Sequence, residues 1–166
     1  CQLAFVAATQ LRDARASRPA PLLTISGPPG AGKSHLVTQA FSGRRGSADD
    51  LRVIEVAAEE FVAEWMEAVR TRRVAEMRDL YLAHEVLVCE DVQSFRHSPG
   101  AQEAFVSLID EFTAGGGRVV VTCPAPPQEL RGLAPRLVGR CHGGVSASIS
   151  LPGRASRLKL LKHFAA

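Results

Sequence analysis

The stretch Leu22-Leu23-Thr24-Ile25-Ser26-Gly27-Pro28-Pro29-Gly30-Ala31-Gly32-Lys33-Ser34 decides how the rest of the chain is read. An apolar, strand-like run passes through a glycine-rich turn into a helix beginning around His35-Leu36-Val37. Gly27 to Ser34 satisfies G-x-x-x-x-G-K-[ST], with strand and helix on the sides that a phosphate-binding loop requires. The glycines let the backbone curl so that successive N–H groups point inward, an anion nest at a helix N-terminus. Lys33 supplies positive charge for β- and γ-phosphates, and the Ser34 hydroxyl is a ligand for Mg²⁺. The plain alternative, a Gly/Pro-rich turn that binds nothing, has to explain why every fixed position is filled. The expectation is a nucleotide-binding protein.

The bulk numbers agree with one soluble domain: 166 residues, 46% apolar and 22% charged. No apolar run approaches the length needed to cross a bilayer, and no secretory leader pattern is present. A cytoplasmic protein is expected. The chain starts at Cys1 without a methionine, so we expect it to be part of something longer. The formal charge of +3 does not by itself imply nucleic acid. Cys1, Cys89, Cys123 and Cys141 form no C-x-x-C pair, which argues against zinc and against a disulfide framework. Cys89 and Cys123 sit in strand-like runs and read as buried thiols. His35, His84, His97, His142 and His163 lack metal-ligand spacing.

Apolar spacing predicts helices over 3–14, 35–41, 59–70, 74–82 and 133–140, and a closing helix over 154–164. A further helix opens at Ser98-Pro99, read as an N-cap with proline at the first position, and stops at Gly115-Gly116-Gly117. Strands are predicted over 22–26, 51–56, 85–89, 118–123 and 145–151, and a polar loop over 42–47. Strands alternating with helices imply a parallel, doubly wound α/β sheet.

The strand Val86-Leu87-Val88-Cys89 ends in Glu90-Asp91, at the carboxyl end where such sheets bind ligands. Beside a phosphate loop, the first acid holds Mg²⁺ and the second orients and deprotonates the attacking water. Thr122 ends the next strand, placed to reach toward the γ-phosphate or the water; a satisfied strand-end threonine is the plainer reading. Gln93 and Phe95 read as supporting or packing residues. Arg136 and Arg140 are four apart and share a helix face, suited to a neighbouring subunit's phosphates. Surface salt bridges are the alternative for both. Arg70, Arg72, Arg73 and Arg78 could contact a nucleic-acid backbone. Glu64, Glu67, Glu76 and Asp79, interleaved with them, make a solvated helix face the competing reading.

Taken together, these stretches resemble the AAA+ ATPase core of the DnaA family of chromosomal replication initiators. Leu3-Ala4-Phe5-Val6-Ala7-Ala8 looks like the family's Asn-x-x-Ala helix, with Cys1 where asparagine is usual. Gly27 to Leu36 matches its Walker A segment, including the following His35-Leu36, which adds His35 to the nucleotide-binding candidates Gly27, Pro28, Gly30, Ala31, Gly32, Lys33 and Ser34. Glu60-Phe61-Val62, the two helices after it and Tyr81 look like the initiator-specific insertion, about 59–82. Val86 to Gln93 resembles Walker B, Val119-Val120-Val121-Thr122 sensor 1, and Pro127-x-Glu129-Leu130 with Pro135-Arg136-Leu137-x-x-Arg140 the arginine-finger box. The chain departs from the family's pattern at several points. Glu90 replaces the usual aspartate, Cys123-Pro124 stands for Ser-Asp, Gly139 and Cys141 replace the Ser and Phe flanking the finger, and Leu82 occupies a usually basic position.

The resemblance implies a P-loop AAA+ three-layer αβα sandwich with a five-stranded parallel sheet, one domain over 1–166. The lid and the helix-turn-helix DNA reader are expected to lie outside it. It implies ATP/ADP and Mg²⁺ as cofactors, Ser34 and Glu90 as metal ligands, and Asp91, Glu90 and Arg140 as catalytic residues. It implies self-association through the Arg140 finger and single-stranded DNA held by the insertion, with slow hydrolysis as a switch. A regulatory adaptor on the same fold, binding nucleotide and a partner protein with little ATPase activity, is the alternative, and a helicase loader is a more distant one.

Overall fold

A computed structural model describes residue 8, residues 21–41, residues 51–151 and residue 153. The helices expected over 3–14 and 154–164 and the loop over 42–47 lie outside these residues, except Ala8, which is helical and buried. The order is β1 (Leu22–Ser26), α1 (Lys33–Phe41), β2 (Val53–Ala57), α2 (Ala58–Thr71), α3 (Val74–Leu82) and β3 (Val86–Glu90). After β3 come a 3-10 turn (Val92–His97), α4 (Pro99–Ala114), β4 (Arg118–Cys123), α5 (Pro135–His142) and β5 (Val145–Ser148). The five strands form one parallel sheet in the order β2-β3-β4-β1-β5.

β1, β3 and β4 are central, and their continuous apolar runs follow from burial on both faces. On one face, Leu23, Ile25, Val86, Val88 and Val120 pack against Leu36, Val37 and Ala40 of α1. On the other, Leu87, Cys89, Val119 and Val121 meet residues of α2, α4 and α5. The chain is therefore the three-layer α/β sandwich expected. Four rings tie the second layer together. Phe61 of α2 lies edge-on to Tyr81, Phe95 and Phe105 at centroid distances of 5.5, 5.7 and 5.2 Å. Phe95 and Phe105 stack at 4.9 Å. Each such pair is worth about 0.5–1.5 kcal/mol beyond area burial, and together they join the turn after β3 to three helices.

Element ends differ from the sequence reading for identifiable reasons. β2 begins at Val53 rather than residue 51, because its neighbour β3 begins opposite it at Val86. β5 ends at Ser148 rather than 151, because β1 ends opposite it at Ser26 and curls into the loop. α5 begins at Pro135 rather than 133: Ala134 is extended (ψ 143° at Ala57 of α2 has its counterpart here in ψ 141°), as residues before proline prefer. Ser98 precedes α4, but its side chain makes no capping bond. The 3-10 turn was not foreseen; buried Val92 and Phe95, three apart, match its three-residue period.

Candidate nucleotide site

The loop leaving β1 has the backbone that its glycines permit. Gly30 and Gly32 adopt φ of 78° and 92°, a region that costs a residue with a Cβ about 1–2 kcal/mol. Gly27 is required for a different reason: a Cβ there would run into the carbonyl oxygen of Ile149. Its N–H donates to the Cys123 carbonyl (3.0 Å), and the Ile149 N–H donates to the Ser26 carbonyl (2.7 Å). The loop is thus anchored between the ends of β4 and β5. Ala31 is buried beneath it, while Pro28, Gly30, Gly32, Ser34 and His35 are exposed.

Lys33 opens α1 and folds back, its Nζ donating to the carbonyls of Gly27 (2.8 Å) and Pro28 (3.4 Å). Ser34 Oγ donates to Glu90 Oε2 at 3.0 Å, so the loop and the acid ending β3 meet across 56 residues of sequence. Glu90 Oε1 is buried and has no hydrogen-bond partner. Asp91 takes a left-handed conformation, φ 57°, which turns the chain off the sheet. Its N–H donates to the buried Thr122 Oγ1 (3.0 Å), and its Oδ1 accepts from Gln93 Nε2 (3.0 Å). Lys33, Ser34, Glu90, Asp91 and Thr122 therefore share the carboxyl end of β1, β3 and β4. Thr122 is, at the same time, the satisfied strand-end threonine of the plainer reading.

Burial, with the Glu90 charge adding to it, holds the Glu55 carboxyl above its ordinary range. Burial also raises the thiols of Cys89, Cys123 (to about 11) and Cys141 (to about 12), so all three are free, neutral and packed in the core. Burial of Cys141 follows from its place on the inner face of α5, which the sequence did not make evident.

The arginines are not gathered with these groups. Arg140 makes a two-pronged pair with Asp110 of α4, Nε to Oδ1 at 2.6 Å and Nη2 to Oδ2 at 2.9 Å. Arg136 reaches Glu103 (3.3 Å) and Asp110 (3.5 Å). Arg70 pairs with Glu67 (2.6 Å), Arg73 with Glu76 (3.0 Å), and Arg78 with Asp79 and Glu111 (both 3.5 Å). Arg72 caps α2 in a left-handed conformation, exposed. Glu67, Glu76 and Asp79 thus engage arginines, whereas Glu64 accepts from the Tyr81 hydroxyl (2.6 Å). Sequence reasoning missed Asp110, Glu103 and Gln102 of α4, which hold the arginine helix in place. Nothing in their local pattern separates them from ordinary helix-surface residues; only the packing of α5 on α4 does.

A family profile described as the bacterial DnaA ATPase domain matches residues 1–148. The chain belongs to this DnaA family. It is 32% identical over 142 residues to the chromosomal replication initiator protein DnaA of Treponema pallidum, covering 85% of this chain and 30% of that protein. Domain III of the Thermotoga maritima replication initiation protein DnaA superposes with a TM-score of 0.88 at 25% identity, over 97% of this chain and 67% of that one. A replication initiator DnaA bound to AMPPCP and single-stranded DNA superposes with a TM-score of 0.86 at 26% identity, over 98% of this chain and 50% of that one. The chain thus spans about a third of the length of the curated DnaA relative. Among the described residues, no helix is long and apolar enough to cross a membrane, and no group of three His, Cys, Asp or Glu side chains could hold a metal by itself.

Proposed function

We propose that this chain is the ATP-binding module of a DnaA-type replication initiator, which binds ATP with Mg²⁺ and assembles with copies of itself on DNA. The observation that carries the reading is the contact between Ser34 and Glu90, which joins a fully formed phosphate loop to the acid ending β3. Membership of the DnaA family and the likeness to a DnaA that holds AMPPCP and single-stranded DNA support the ligands.

The Ser34 hydroxyl and the Glu90 carboxylate, one of whose oxygens is buried without a partner, are hard oxygen donors that fit Mg²⁺. They would hold it with the nucleotide's phosphates completing the shell, which suits a site with few protein ligands. When bound, the ion would neutralise phosphate charge. Lys33, already turned toward the loop carbonyls, would exchange those bonds for phosphate oxygens. Asp91, fixed through its N–H by Thr122, is the group to orient and deprotonate water. Arg140 is assigned to a neighbour's γ-phosphate, which requires it to leave Asp110. Arg70 and Arg78, on the helices over 58–71 and 74–82 that we take as the initiator-type insertion, and Arg72 and Arg73, at the joint between them, are assigned to single-stranded DNA. Slow hydrolysis resets the assembly.

One observation favours the regulatory adaptor instead: the strand position after Thr122 holds Cys123, a buried neutral thiol, where the family resemblance leads one to expect a polar residue. Measuring ATP affinity and turnover for this chain and for Lys33→Ala tests the common core. We expect at least a tenfold loss of affinity; equal affinity in both overturns nucleotide binding at this loop. ATP-dependent, salt-sensitive binding of single strands separates the initiator from the adaptor, which requires none.

A further inference from the structure

Helix α4 lies between the turn that follows Asp91 and the helix that carries Arg136 and Arg140, and one buried side chain touches both. The Gln102 side chain is 3% exposed. Its Nε2 donates to the carbonyl of Phe95 (3.0 Å), inside the 3-10 turn, and to the carbonyl of Gly132 (3.1 Å). Its Oε1 accepts from the N–H of Ala134 (2.5 Å), the residue that caps α5. A single amide thus bonds three backbone groups on two segments 30 or more residues apart in sequence, the Phe95 carbonyl also accepting from the Ser98 N–H (2.9 Å). The 3-10 turn starts at Asp91, whose carbonyl accepts the Ser94 N–H (2.9 Å), and its Phe95 is packed among Phe61 and Phe105. Gly132, φ 82°, lies against Arg96 so closely that a Cβ there would come within 2.9 Å of the Arg96 Cβ. The turn and the approach to α5 therefore touch backbone to backbone, with Gln102 as the joint.

We propose that Gln102 is the positioning residue that couples the state of the phosphate site at Asp91 to the placement of the α5 arginines. A small displacement of the 92–97 turn moves the Phe95 carbonyl, and the planar amide must move its other two bonds with it. The proposal rests on the functional reading above, in which Asp91 faces bound ATP and Arg140 serves a neighbour.

Two measurements test it in the 166-residue chain. Amide hydrogen exchange with and without ATP and Mg²⁺ comes first. We expect peptides covering 91–95 and 130–138 to change protection together in the parent. In Gln102→Met, which keeps the volume but not the bonds, only 91–95 should respond, with ATP affinity within about threefold of the parent. If Gln102→Met does not fold, Gln102→Glu serves, since it keeps the acceptor for Ala134 and removes the donors to Phe95 and Gly132. Exchange confined to 91–95 in the parent, or a 130–138 response undiminished in both variants, overturns the coupling. The protein concentration at half-assembly in saturating ATP comes second. It should rise at least tenfold in Gln102→Met and by less than twofold when the same change is made in Arg140→Ala. An equal rise in both backgrounds shows a structural role alone and overturns the proposal. A parent that binds no ATP sinks the functional reading itself; a parent that binds ATP and shows no linked exchange sinks only Gln102.

Discussion

Arg140→Ala compared with Asp110→Asn separates two roles that the static pair leaves superposed. The Arg140 and Asp110 side chains are 49% and 30% exposed, and their two contacts are 2.6 and 2.9 Å. An exposed ion pair is worth about 0.2–1 kcal/mol after screening, and the forked geometry puts this one near the upper end. At roughly 2–4 °C per kcal/mol for a chain of this size, either substitution should lower the melting temperature by no more than about 4 °C. A finger on a neighbour's phosphate is worth far more, up to about 10³–10⁵ in rate. The assay is ATP turnover per subunit over a range of protein concentrations, with a thermal melt of each variant. Arg140→Ala should melt within 4 °C of the parent yet lose at least about tenfold of the concentration-dependent turnover. Asp110→Asn should melt like Arg140→Ala but keep that turnover or exceed it, because the guanidinium no longer has to be withdrawn from a carboxylate. If the two substitutions reduce turnover equally, the pair is a structural contact and the finger assignment fails.

Gly27→Ala should cost about 1–3 kcal/mol of stability by overpacking against the Ile149 backbone, seen as a lower denaturation midpoint without nucleotide. Glu55 has its folded-state pKa raised above the ordinary 4.5, by burial first and Glu90 second, so it opposes folding increasingly as pH rises through and above that value. Glu55→Gln should therefore stabilise the fold at pH 7 and confer no such gain at pH 4, measured by melts at both. Cys89, Cys123 and Cys141 should resist alkylation at pH 8 in the folded protein and react once it is unfolded, read site by site by mass spectrometry. Arg72→Ala and Arg78→Ala should each reduce the salt dependence of single-strand binding by about 0.7 in the log–log slope if each contacts one phosphate. An unchanged slope removes that arginine from the DNA surface.

Most of the fold was legible because burial on both faces writes itself into sequence as uninterrupted apolar runs. Val119-Val120-Val121 and Val86-Leu87-Val88-Cys89 can only be central strands once a phosphate loop fixes the class. The strand and helix ends were less legible, since β2 and β5 stop where their neighbours stop, and a neighbour is not a local property. The site followed the same division. Gly27 to Ser34 is readable because the backbone path itself fixes the residue types: glycine is what suits φ of 78° and 92° and the nearness of Ile149. Glu90 and Asp91 were readable from their place at a strand end.

The sequence by itself thus determined the loop, the sheet and the acids beside it, because each is fixed by residues adjacent along the chain. What only the tertiary structure decided is how the arginines are held. Arg136 and Arg140 are bound to Glu103 and Asp110, and α5 is pinned through Gln102 to the turn after Asp91. The contacts between α4 and the α5 segment span 30 to 33 residues and depend on the angle at which two helices pack. Helix packing is set by the summed shape of many side chains, which no single stretch encodes.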